Sequence, residues 1–238
     1  MKVNWFYIKV FVLVGVVLFL FGFAKNRNEA REIVDTKVNF EGDANLFITA
    51  DTVDKLLIQK KVGDTAQGKE ILVLSELEAK LDANAMIAEA DVYRTIDGII
   101  GANVKQRKPL ARVNGEAPFY IDELGEAMPL SPNYSARVPV IEGLARENMQ
   151  EVMPLLQYIK NDELLNEQVV GIKRTPSGNY RLSTRVLDYV IKMGKVKELD
   201  SKFSNYKAFY QKASKDKSLE TYKFVDLRFR GQVVGTKK

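Results

Sequence analysis

Tyr222, Phe224, Asp226, Arg228 and Arg230 recur at every second position near the end of the chain, with Val225, Leu227 and Phe229 between the last four. Successive side chains of an extended strand point to opposite faces. Val225, Leu227 and Phe229 then form a natural core face. The opposite face combines aromatic rings with one carboxylate and two guanidinium groups. Those groups suit recognition: rings supply buried area, and charges fix register and partner choice. Residues 222–234 form the last predicted strand region, which makes it a candidate sheet edge. Such an edge takes a partner strand through main-chain hydrogen bonds. The predicted partner-binding set is Tyr222, Phe224, Asp226, Arg228 and Arg230. Phe224 is its anchor, and Asp226 and Arg228 set register and pairing.

Catalytic chemistry finds no comparable set. The chain has no His and no Cys, which removes the commonest general base, the commonest metal ligand, disulfides and thiol nucleophiles. Residues 63–69 (GDTAQGK) have phosphate-loop spacing, but Glu70 stands where Ser or Thr must hold magnesium. A predicted helix, not a strand, precedes them. Ser204 and Lys207 have Ser-x-x-Lys spacing inside a predicted helix, without supporting elements. Asp122 and Glu123 are adjacent, so on a strand they face apart and form no acid–base pair. Residues 133–135 (NYS) are a glycosylation acceptor only in a eukaryotic secretory route. The expectation is a chain without catalytic residues, metal or cofactor.

The elements that position the final strand begin with residues 5–24 (WFYIKVFVLVGVVLFLFGFA), almost purely apolar. About 20 helical residues cover about 30 Å, the thickness of a bilayer core. The reading is a single transmembrane helix holding the chain to the lipid bilayer. A short cytoplasmic tail (1–4) precedes it, and a charged connector (25–31) and an exported body follow. Residues 32–40 read as a strand and 49–57 as a helix capped by Thr49 or Asp51. Residues 74–82 read as a helix capped by Ser75, with Glu78 three residues on. Strands follow at 85–95, 99–104 and 110–113. The sequence therefore divides into a strand–helix–helix–strand–strand domain over 32–113 and a β-rich domain over 114–234. Residues 235–238 read as a basic tail.

Within the second domain, residues 149–165 form a predicted helix with Val152, Leu155, Leu156 and Ile159 on one face. A hairpin joins 169–174 to 180–183, and a strand covers 187–193. Leu199, Phe203, Tyr206, Phe209 and Tyr210 follow helical spacing. The 238 residues carry a net charge of +5, with Lys and Arg spread among Asp and Glu. That distribution is a solvated surface, and nucleic acid is not an expected partner.

Four stretches carry a resemblance: 104–113 (VKQRKPLARV), 120–131 (YIDELGEAMPLS), 138–143 (VPVIEG), and 222–229 (YKFVDLRF) with 231–234 (GQVV). Their order and spacing resemble the bacterial cell-division family FtsQ/DivIB over essentially the whole chain. The resemblance implies an α+β fold with one N-terminal transmembrane helix, a POTRA-like β-α-α-β-β domain and a β domain. It implies a non-catalytic scaffold that binds FtsB- and FtsL-like partners and links them to septal peptidoglycan synthesis. It also implies a single-pass protein of the cell inner membrane, with a cytoplasmic N-terminus, a periplasmic body and a place at the division septum. The strand at 222–230 would then receive the FtsB-like partner. POTRA domains also serve in envelope assembly and secretion, which is the alternative, but no array of barrel strands follows here. A membrane-anchored envelope hydrolase is disfavoured by the missing His, Cys and paired carboxylates.

Overall fold

The computed structural model describes residues 5–29, 36–42, 47–58 and 67–238. The chain is α+β with two mixed sheets, in two compact units, 1–106 and 107–238. The tail at 1–4, residues 30–31 of the connector and most of the 63–69 loop lie outside the described residues.

Helix α1 spans Trp5–Glu29. The predicted transmembrane helix is not found: among the described residues, no helix is long and apolar enough to cross a membrane. The bilayer contact and the single-pass placement rested on that span.

The first unit continues with β1 (Thr36–Glu41), α2 (Ala50–Ile58), α3 (Gln67–Asp82), β2 (Ile87–Arg94) and β3 (Ile100–Gln106). The sheet order is β1-β3-β2, with β1 parallel and β2 antiparallel to β3. Thr49 caps α2, its hydroxyl accepting from Thr52 N at 3.3 Å. Val53 and Leu57 of α2 join Leu77 and Leu81 of α3 over Val92, Ala102 and Val104. Burial of these faces is the main stabilising term of the unit. Helix α3 begins at Gln67, well before the predicted cap Ser75, which therefore sits mid-helix.

The second unit contains β4 (Pro109–Asn114), β5 (Phe119–Asp122), β6 (Ala127–Pro129), β7 (Val140–Glu142), α4 (Met149–Asn161), α5 (Glu163–Gln168), β8 (Val169–Arg174), β9 (Tyr180–Thr184), β10 (Val190–Gly194), α6 (Leu199–Lys215), β11 (Tyr222–Asp226) and β12 (Val234–Lys237). They form a nine-stranded sheet among the described residues, ordered β12-β11-β10-β9-β8-β7-β4-β5-β6. Strand β4, grouped in sequence with the first domain, belongs to this sheet through β5 and β7. Val152, Leu155, Leu156 and Ile159 of α4 pack with Phe203 and Tyr206 of α6 over Ile141, Ile172, Leu182, Ile191 and Val225. The single helix predicted over 149–165 breaks at Asp162. That residue leaves helical geometry and caps α5, its carboxylate accepting from Leu165 N at 3.1 Å.

Candidate functional site

Strand β11 enters the sheet parallel to β10, pairing Val190 with Phe224 and Lys192 with Asp226. Val225 and Leu227 are buried in the core, as their alternation predicts. Phe229 is not; it is 47% exposed, because the strand ends at Asp226 and the chain turns. The turn has a specific cause. The Asp226 carboxylate accepts from Arg228 N at 3.1 Å, Arg228 Nε at 2.9 Å and Arg228 Nη2 at 2.6 Å. These bonds hold the Asp226 carboxyl below its ordinary value and raise the Arg228 guanidinium. Gly194, at the end of β10, has φ +78°, and a Cβ there would lie 2.9 Å from Arg228 Cγ. Glycine meets both conditions.

The turn returns the chain antiparallel to β11 as β12, pairing Phe224 with Thr236 and Asp226 with Val234. The sheet edge is therefore β12, not β11. The stretch read as a basic tail supplies its last residues, and Lys238 N still donates to Thr221 O at 2.8 Å. All four residues of β12 are exposed, and among the described residues no strand pairs with its outer side.

The five predicted residues separate. Phe224 and Asp226 share a face of β11. Phe224 is half-buried, with Lys192 Nζ 4.0 Å and Lys223 Nζ 5.6 Å from its ring centre. Two ammonium groups thus lie within cation–π reach of one ring. Tyr222 lies on the other side of a register shift in the β11–β12 pairing. Its ring meets Phe209 of α6 edge-on at 5.0 Å and covers Gly235. Arg228 folds back onto Asp226, and Arg230 is 90% exposed, 3.8 Å from Glu198. The surface beside β12 is thus half-buried Phe224 and Lys192 with exposed Lys223, Val234 and Thr236.

Sequence reasoning missed Lys192 and β12. Lys192 reaches Phe224 only through a parallel pairing that brackets α6, which no local pattern reveals. The signal for β12 was present: Gly231, at φ +70°, followed by Val233 and Val234, is a turn leading into a strand.

Asp122, Glu123 and Lys207, weighed for catalysis in the sequence, have structural partners. Buried Asp122 accepts from Leu124 N at 3.0 Å, Glu126 N at 2.8 Å and Arg107 Nη1 at 2.9 Å, bracketing a turn. Glu123 pairs with Lys160. Lys207 bonds Asp162 rather than Ser204. Among the described residues, no group of carboxylates could hold a metal ion.

Comparison with known proteins places this geometry in a family. No curated protein matches the chain. Residues 108–236, more than half of it, match the family model described as FtsQ/DivIB, C-terminal related, and the match begins where the second unit begins. The chain belongs to the FtsQ/DivIB family of cell-division proteins.

Proposed function

We propose that the chain is a non-catalytic scaffold of the bacterial division machinery. It captures an FtsB/FtsL-type partner by strand addition on β12 and couples it to septal peptidoglycan synthesis. The observation that carries this reading is an open, exposed edge strand with an aromatic–lysine cluster beside it. Four edge residues offer few main-chain bonds, each worth about 0.5–1.5 kcal/mol net. Affinity therefore needs a side-chain anchor, and Phe224 fills that role, with Lys192 and Lys223 placed to meet carboxylates of the incoming strand. Asp226 and Arg228 act one step back by shaping the turn that delivers β12. The order β-α-α-β-β and the β1-β3-β2 sheet support reading the first unit as a POTRA-like domain and the second as the β domain.

The test is Phe224→Lys, with circular dichroism and melting to confirm the fold. Pull-down of an FtsB–FtsL pair should weaken at least about tenfold, roughly 1.4 kcal/mol. Hydrogen exchange should show protection of Val234 to Lys237 when the partner binds the unaltered chain. Unchanged binding by folded Phe224→Lys, with protection on another edge instead, would overturn the reading.

A further inference from the structure

A cleft of about 350 Å³ opens where β4, β7 and β8 begin. These strands run parallel, so their starts lie at one end of the sheet. Strands β9, β10 and β11 separate the cleft from β12. Leu156, Ile159 and Val169, all buried, give it an apolar floor. Its rim carries Arg137, Lys160 and Arg185, and no carboxylate lines it. Lys160 is paired with Glu123. Among the described residues, neither Arg137 nor Arg185 makes an ion pair through its side chain.

The wall supplies a second kind of valence. Residues 137–139 belong to no strand. Pro139 O accepts from Arg112 N at 2.9 Å, but among the described residues the N–H groups of Arg137 and Val138 make no hydrogen bond. Among the described residues, the Asn166 side-chain amide, on the same rim, makes no hydrogen bond either. Val186, next to Arg185, is 84% exposed. The end of α4 brings partial negative charge to this region, an effect confined to its last turn, where Lys160 stands.

An apolar floor, two rim arginines without ion pairs and idle main-chain donors call for one kind of occupant. A cleft of this volume takes a large apolar side chain. The arginines call for carboxylates, which they hold in bidentate geometry. The free N–H groups call for the carbonyls of an extended backbone. We propose that this cleft is a second docking site, for an extended peptide carrying one or two large apolar residues between acidic ones.

The test titrates the full chain with a labelled hexapeptide, Asp-Glu-Leu-Phe-Asp-Glu, and with the same peptide bearing Lys at the four acidic positions. Vesicles of anionic phospholipid form the third arm. The acidic peptide should bind saturably and the basic one should not. The double variant Arg137→Glu/Arg185→Glu should weaken binding about tenfold or more, with circular dichroism unchanged because both side chains are exposed. If that variant misfolds, Arg185→Gln alone should weaken binding measurably. Phe224→Lys should leave this binding intact, which separates the cleft from the β12 edge. The proposal is overturned by absent binding of the acidic peptide, by equal binding of the basic one, or by unchanged binding in the folded variants. Vesicle binding that depends on the two arginines without any peptide binding overturns it as well.

Discussion

Asp226→Asn tests the turn that creates the edge. The side chain of Asp226 is 9% exposed and that of Arg228 51%. Asparagine keeps one acceptor oxygen for Arg228 N but removes the charge. A hydrogen bond to a charged group contributes about 1.5–3 kcal/mol and a neutral one about 0.5–1.5. Solvent around the half-exposed guanidinium screens much of that difference. The expected loss at neutral pH is therefore about 1 kcal/mol. Its sign with pH follows from the lowered carboxyl. The stabilisation is complete above the ordinary carboxyl value and is lost as pH falls through the lower folded value. Urea unfolding at neutral pH should separate the two proteins by that amount, and the gap should narrow in strong acid. Hydrogen exchange at Val234 to Lys237 should be about fivefold faster in the variant, since β12 is held through this turn. No stability gap at neutral pH, or a gap that acid leaves untouched, would refute the reasoning.

Two further substitutions probe the frame behind the edge. Tyr206 donates to Gln168 Oε1 at 2.9 Å and shares a 2.9 Å bond with the Tyr189 hydroxyl, and burial raises both phenols. Tyr206→Phe leaves buried Tyr189 and half-buried Gln168 unmatched and should lower the free energy of urea unfolding by about 1–3 kcal/mol; equal stability would mean that the network is not satisfied in this way. Gly143 has φ +72°, and a Cβ there would lie 2.5 Å from Arg174 O. Gly143→Ala should cost more than about 2 kcal/mol, because a backbone carbonyl yields less than a side chain, and an unchanged melting temperature would show that the turn adapts.

Much of the scaffold was legible because its cause is local. Leu155, Leu156 and Ile159 follow helical spacing and are buried on α4. Val169–Arg174 and Tyr180–Thr184 flank a five-residue turn and form the expected antiparallel pair. What stayed hidden depends on the rest of the fold. The last strand, Val-Gly-Thr-Lys, buries nothing, so beyond the turn signal at Gly231 it has no hydrophobic alternation to read. It is a strand because Asp226 and Arg228 turn the chain and because β11 offers a free side. Their charges looked like partner contacts in the sequence, where their own pairing, two residues apart, is as short-ranged as any contact can be. Residues 5–24 show the converse: a strong local signal for a spanning helix that the described structure does not support.

The two ends of the large sheet differ in a way that favours β12 as the docking edge. Strand β6 has three residues and ends at Pro129, which has no N–H to offer, and Pro132 follows shortly after. A strand approaching that end finds little backbone to pair with. Strand β12 offers four consecutive residues with their N–H groups intact, but it is short, holds Gly235 near its centre and ends on Lys237, next to Lys238. A long, flat, apolar edge would pair with copies of itself; a short, charged one does so poorly. Main-chain pairing alone is then too weak to recruit an indiscriminate strand. In the proposed strand addition, pairing combined with a fit around Phe224, Lys192 and Lys223 would select one. On that proposal, specificity would come from the neighbouring strands β10 and β11, while β12 would supply the backbone template.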